Sequence, residues 1–531
     1  MNCSFNLLIG ALLGVGIHRW LFIHGEWHIQ APNILVLHLI CFFSLAISVN
    51  NAWQSITGYL LALFSSITIY RLYFHRLSHF PGPFWARVTK LWHMWKCRAR
   101  RNHFLLADLH RRYGSDFIRT GPSEITVFHP DVFMAIDGPN SKCIKSEWYD
   151  LLHPNKALVT ARDKETHGSR RRQWNRGFNS KALNHYQERV LPIIDQLDYC
   201  IQSDIAAERV SEVTDLFYWL GFDRMGDFIF YETFEMLSDR RWNHVIILLQ
   251  RALSVLGPLS PVPWLVHIAF KLLPRVWILK DWFDMVAWCE SRLRKRRLIH
   301  VDPSETPDVA HYLLQDAQES TGQEEWLTGD SILAIVAGSE PTAVALIALF
   351  YELGKNPSHA DIIHSEVKQV GIRDGREILC QCPHLESAIL ETLRLYPALP
   401  TGGYRKTLQE GITLGGTYIP PETTIVAPRF SISRREDCFE QAEKFIPERW
   451  TTRPEMVRNR AAYTPFGTGH HSCLGRAVAM NDMMLIAARL LRQYSVRFPP
   501  GETGDAVWND WKDQFTSNPG RLRLIFESRK D

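Results

Sequence analysis

"FGTGHHSCLG", Phe466 to Gly475, sets one cysteine among three glycines, two histidines and an aromatic residue. Gly467, Gly469 and Gly475 let the backbone turn tightly and approach a flat object closely, which side chains would prevent. A helical pattern starts directly after Cys473. Helix N-termini favour negative charge, and their free amides can hydrogen-bond a sulfur. These features together favour a thiolate, which is both a nucleophile and a metal ligand.

As a nucleophile, Cys473 needs a positioned base. His470 and His471 lie on the same tight loop, from which neighbours rarely reach back. Zinc or an iron–sulfur cluster needs further ligands at a recognisable spacing. Cys380 and Cys382, as C-Q-C, do not supply one. A haem iron needs one axial thiolate and a flat bed of glycine and aromatic residues, which fits the stretch best.

The stretch resembles the haem-binding loop of cytochromes P450, F-x-x-G-x-[HR]-x-C-x-G, at Phe466, Gly469, His471, Cys473 and Gly475, with Gly467 inside it. Three further stretches follow in the family's order. "ETLR" puts Glu391 and Arg394 on one helix face. With Arg449 of "PERW" it resembles the family's buried Glu–Arg–Arg network, which implies a role in holding the cysteine loop. "HGSRRRQW" carries His167 and Arg171 in a fungal H-x-x-x-R form. The resemblance implies that these bind haem propionates, with Arg405 of "GGYRKT" as a further partner.

"AGSEPTA" resembles A-G-x-[DE]-T-[TS] at Ala337, Gly338 and Glu340, but Pro341 stands where the family's threonine is usual. Proline has no N–H, so the Ala337 carbonyl loses its helical partner. Interior proline costs about 3 kcal/mol in an ordinary helix, so a local opening is expected. The expectation is that the Ala337 oxygen holds a water, which forms a proton relay with Glu340 and Thr342.

Outward from these motifs, the chain of 531 residues is 46% hydrophobic and 22% charged, as a globular protein is. A net charge of +4 spread over 60 basic residues does not suggest a nucleic-acid binder. Three apolar runs open it: Phe5 to Ile23, Ile34 to Val49 and Ile56 to Phe74. They predict a membrane anchor over 1–78, in three transmembrane passes, with a single-pass anchor as the alternative. Arg71, Arg76, Arg87, Lys90, Lys96, Arg98, Arg100 and Arg101 follow the third run. The positive-inside rule then places the large domain in the cytosol, facing the endoplasmic reticulum membrane. "HFPGP", 79–83, reads as a proline hinge.

Residues 84–531 read as one catalytic domain, mainly α with small β-sheets: a cytochrome P450 fold preceded by N-terminal transmembrane helices. Its central helix is predicted to start at Thr328 as N-cap, with Asp330 in the first turn. The resemblance covers residues 84–520. "GFDRMGDFIF", "RRRQWNRGF" and the opening "HGEWH" are similar to fungal membrane-bound members of specialised metabolism, around the tryprostatin hydroxylases.

The resemblance implies a monooxygenase with haem b ligated by Cys473. Its electrons come from NADPH through a separate reductase, with cytochrome b5 as a second candidate donor. Its substrate is a lipophilic small molecule. Lys145 to Thr160, Ala334 to Gly338 and "PTGG" from Pro400 are expected to line the pocket, and "PVPWLVHIAF" to meet the bilayer. A haem isomerase or dehydratase working without a redox partner, and a non-catalytic membrane scaffold, are the alternatives.

Overall fold

Three apolar helices come first in the computed structural model, which describes residues 2–298, 308–319, 324–371, 375–514 and 516–529. They are α1 (Asn2–Ile17), α2 (Ala31–Ser48) and α3 (Ala52–Ile69). Helices α1 and α3 run on into π turns at His18–Phe22 and Tyr70–Phe74. Phe5–Phe22, Ala31–Ser48 and Ala52–Phe74 are each long and apolar enough to cross a membrane. Small residues bring α1 and α3 together. A Cβ on Gly10 would lie 2.1 Å from the Ser55 carbonyl oxygen, and one on Gly58 would lie 2.4 Å from that of Leu7. Such backbone contact is how apolar helices associate where the hydrophobic effect gives no preference.

The loop between α1 and α2 does not hang free. The Glu26 carboxylate takes both terminal guanidinium nitrogens of Arg162, at 2.7 and 2.9 Å, and Lys406 at 2.8 Å. His28 pairs with Asp150 at 2.8 Å. The stretch 79–83, expected as a hinge, is instead pinned to the body. Phe80 is buried, the Arg119 amide donates to the Pro81 carbonyl at 2.7 Å, and a Cβ on Gly82 would meet the Arg119 carbonyl at 2.2 Å. Sequence punctuation marks a break in helix there, and tertiary packing removes the freedom.

Beyond it the structure is mainly helical. The helices that matter for the site are α4 (Lys164–Arg176), α5 (Val213–Phe230), α6 (His244–Leu259), α7 (Pro263–Leu272), α8 (Ile278–Arg296), α9 (Glu324–Lys355), α10 (Pro383–Leu395) and α11 (Arg476–Gln493). Helix α9 is also long and apolar enough to span a membrane, yet 72% of its window is buried in protein, so it is the core of the molecule. Each of Leu346, Ile347 and Phe350 is fully buried there and contributes roughly 1.5–3 kcal/mol.

Helix α9 is already formed at Glu324, four residues before the expected cap at Thr328. Asp330 is wholly buried and accepts from the Leu158 amide, Arg170 and Trp174, so it pins neighbouring segments instead of tuning a helix end. The helix also runs unbroken through Pro341, where a local opening was expected. Packing along its whole length holds the turn that proline weakens.

A five-stranded sheet closes one side, in the order β1–β2–β5–β4–β3: β1 (Phe117–Gly121), β2 (Glu124–Val127), β3 (Cys143–Lys145), β4 (Tyr404–Thr407) and β5 (Thr424–Val426). Only β2 and β5 pair in parallel. A hairpin of β6 (Lys512–Gln514) and β7 (Thr516–Asn518) reaches α9 from the other end of the chain.

Candidate active site

The cysteine loop folds back on itself before α11. The Cys473 amide donates to the Phe466 carbonyl at 2.8 Å, and Gly469–His471 makes one 3-10 turn. Gly467 and Gly469 have φ of 68° and 59°, the left-handed region. Gly469 also touches the body of the protein: a Cβ there would lie 2.0 Å from the Asp137 carbonyl oxygen. Gly475 caps α11 with ordinary φ, and a Cβ there would meet the Cys473 sulfur at 3.9 Å.

Cys473 is a free thiol and accessible, yet burial is the largest influence on it and pushes its pKa up. That combination describes a sulfur facing an internal space. The amides of Gly475 and Arg476 and the charges of Arg171 and Arg476 pull the other way. The expected donors are therefore in place, and burial outweighs them.

Beside the loop, five nitrogenous side chains converge. Lys145 on β3 and Arg405 on β4 are direct cross-strand partners, a pairing that like charges destabilise. His167 lies 3.4 Å from His471, and Arg171, one turn further along α4, donates to the carbonyls of His470 and Ser472 at 3.0 and 2.8 Å. The Asp137 carboxylate is held by Arg405 at 2.6 Å, and the Tyr149 hydroxyl accepts from Arg405 at the same distance. Burial, then the Arg405 charge, brings Lys145 down to about 6. Burial and the surrounding cations bring His167 to about 3 and His471 to about 2. Burial and mutual repulsion thus keep three of these five groups largely unprotonated, and facing anions would raise their affinity for protons.

The E-x-x-R helix and the "PERW" turn meet in full. Both Glu391 oxygens are used by Arg394, at 2.9 and 2.8 Å, while Arg449 and Trp450 each donate to one at 2.9 Å. Arg394 also donates to the carbonyls of Ser433 and Ala442, both at 2.7 Å. All three charged side chains are completely buried. Trp450 then packs on Tyr463, with ring centroids 4.4 Å apart, three residues before the cysteine loop begins.

On α9, Ala337 is solvent-accessible although its neighbours Ile335, Val336 and Ser339 are buried. Glu340 is buried, and its carboxylate accepts from the Thr516 hydroxyl of β7. Burial pushes it up to about 7. Thr342 is half-buried, and two residues on from Glu340 it points to nearly the opposite side of the helix. The acid is thus committed to the β6–β7 hairpin and not to Thr342.

A cytochrome P450 family profile matches residues 81–526. The chain is a cytochrome P450. It is 34% identical to cytochrome P450 monooxygenase FCK2 of Fusarium pseudograminearum, over 98% of this chain and 97% of that one. It is 32% identical to tryprostatin B 6-hydroxylase of Aspergillus fumigatus, over 97% of this chain and 94% of that one. The crystal structure of the cytochrome P450DA heme domain superposes with a TM-score of 0.65 at 17% identity, covering 81% of this chain and 94% of that one. The fold and the class, a cytochrome P450 monooxygenase, follow from these matches.

The residues of this P450 fit a haem. Two porphyrin carboxylates complement five cationic or ionisable nitrogen groups, of which Arg405 is paired with Asp137. Lys145, His167, Arg171, Arg405 and His471 are the groups able to hold them, and Cys473 is the thiol available to iron. Lys145 and Tyr149 were expected only within a pocket-lining stretch and not as cofactor contacts, and Asp137 and Thr516 were not expected at the site. No local spacing marks them, because strand pairing and the late hairpin bring them in.

The P450's apolar cavity is lined by Leu151, Val159, Leu253, Trp282, Ile332 and Val336, among others. Two of the segments expected there contribute to it. "PTGG" does not: Thr401 is buried and donates to Asp513 at 2.6 Å.

Proposed function

We propose that this cytochrome P450 is a membrane-anchored, haem-thiolate monooxygenase that inserts one atom of O2 into a lipophilic small molecule, as a tailoring step in fungal secondary metabolism. NADPH supplies the electrons through a separate reductase. The anchor makes three passes of the endoplasmic reticulum membrane, with the catalytic unit on the cytosolic side. The observation that carries the reading is the Cys473 loop, with its inward-facing sulfur and two amides, set beside a buried cationic cluster.

When bound, haem supplies the oxygen-activating redox chemistry that the side chains lack. The chain's own work is positional. Arg171, Arg405 and Lys145, with His167 and His471, bind and orient the carboxylate edge. The amides of Gly475 and Arg476 stabilise negative charge on the Cys473 sulfur. The Glu391–Arg394–Arg449 network fixes the loop through Trp450 and Tyr463. The cavity over Ile332 and Val336 excludes water and orients an apolar substrate beside Ala337.

Glu340, titrating near neutrality, holds and releases a proton at its carboxyl oxygen, and the Ala337 carbonyl is the other candidate relay group on this side of the helix. Three passes also agree with the docked Glu26 loop. An odd number of spans puts the α1–α2 loop on the same side as the catalytic unit.

The test is turnover of the full chain with reductase in lipid, assayed on lipophilic metabolites that accumulate when its gene is deleted. The expected result is one product formed per NADPH, a thiolate-type carbon monoxide band, and loss of that band in Cys473→Ser. Turnover without NADPH would replace the reading with an isomerase or dehydratase. A band that survives Cys473→Ser would remove the ligand assignment.

A further inference from the structure

Two pockets meet at one side chain. The outer is lined by Lys90, Glu124, Glu147, Trp148, Pro261 and Tyr404, and it opens between the α6–α7 turn and the β1–β2 turn. The inner is the apolar cavity over α9 described above, where Trp148 joins Leu151, Trp282 and Val336. Trp148 alone lines both. Its indole stacks on Tyr404, with centroids 5.1 Å apart and planes at 13°, and stands edge-on to Tyr149 at 5.0 Å. The ring is thus part of the wall of both the polar mouth and the chamber over α9.

The turn that carries the ring is held from outside the catalytic unit. Trp148 lies on a single 3-10 turn, Glu147–Asp150, capped at its start by Ser146. Its last residue, Asp150, is gripped by His28 at 2.8 Å and by Arg162 at 2.6 Å. Arg162 is itself held by both oxygens of Glu26. Glu26 and His28 belong to the loop between α1 and α2. The same end of the anchor touches the opposite wall: His28 and His267 of α7 have ring centroids 5.8 Å apart, and Lys271 of α7 donates to Asn33 at 2.5 Å. The loop therefore ties both sides of the mouth, the Trp148 turn and α7.

We propose that Trp148 is the gate between the outer and inner pockets, and that Glu26 and His28 of the membrane anchor are the latch that keeps its turn closed. The anchor then helps to set which lipophilic molecules pass and how fast. The inference rests on the haem reading only for its optical readout.

The experiment uses the full-length holoenzyme in phospholipid nanodiscs, with clotrimazole as a bulky azole probe and carbon monoxide as a small one. Rapid mixing follows the Soret shift in wild type, Trp148→Ala and Glu26→Gln. Clotrimazole association should quicken roughly fivefold in both variants, the order expected for opening a closed side-chain gate or loosening its ion pair. The carbon monoxide band should stay at its thiolate position.

Hydrogen exchange across residues 143–152 should also rise in Glu26→Gln. Unchanged clotrimazole rates in both variants, with a normal carbon monoxide band, would overturn the gate. If the wild-type band lacks the thiolate position, the haem reading fails instead. The latch is then decided by exchange alone, and an unchanged 143–152 segment overturns it.

Discussion

Glu340 and Asp513 are buried carboxyls with hydroxyl partners, Thr516 and Thr401, and burial raises both to about 7 from 4.5 and 3.8. Both hold the β6–β7 hairpin. The unfolded chain gives up these protons at lower pH than the folded one, so the folded state binds more protons between about pH 4 and 7 and stability falls as pH rises through that window. The Glu340→Gln and Asp513→Asn variants should therefore gain on wild type towards pH 8, by up to about 2 kcal/mol each, and converge with it near pH 4. Thermal midpoints across that range check this; a constant offset would refute it.

Lys145 gives a second prediction at this scale. Burial and Arg405 keep the Lys145 amine largely unprotonated at pH 7, at a cost to the folded state, so in Lys145→Met the haem-free protein should become more stable, by about 1 kcal/mol, while haem is lost faster to an acceptor apoprotein. The cysteine loop and the E-x-x-R pair were legible in the sequence because their logic is local: a sulfur, its glycines and a helix start; two charges three residues apart. Lys145 was not legible as a cofactor contact, since its alignment with Arg405 depends on strands 260 residues apart, β3 and β4.

At the scale of elements, α5 and α9 cross where glycine removes the intervening side chains. A Cβ on Gly221 would meet the Ser339 carbonyl oxygen at 2.8 Å, whereas one on Gly338 would strike the flexible Met225 side chain. Gly221→Ala should destabilise by about 1–3 kcal/mol, because backbone cannot yield cheaply, and Gly338→Ala should cost less. Chemical denaturation of the two variants separates them.

Helix existence was readable from apolar pattern and stop signals, as α9, α10 and α11 show. The start of α9 was not, because Asp330 looks like a first-turn acid and is in fact spoken for by Arg170, Trp174 and the Leu158 amide. Pro341 misled in the same way. Local propensity forecast an opening, and burial of the surrounding turns overrode it.

For the whole molecule, stability depends on one carboxylate shared by two buried arginines. Glu391→Gln leaves Arg394 and Arg449 without their counter-charge, at about 3–5 kcal/mol, and should abolish the folded holoprotein. Glu391→Asp, which keeps the charge, should lose less; limited proteolysis of membranes expressing each variant reports the difference. The fold class was legible in motif order, and the three apolar helices that precede the body were legible in hydropathy. The seam between them was not, since Glu26 carries no signature that names Arg162 or Lys406.

That seam also fixes an order of events at the ribosome. Glu26 precedes Lys406 by 380 positions. At about 5–20 residues per second, the loop waits roughly 20–80 s for that lysine to be translated. The leader is thus made long before the body exists to receive it, and the clasp between them is among the last contacts of biogenesis to close.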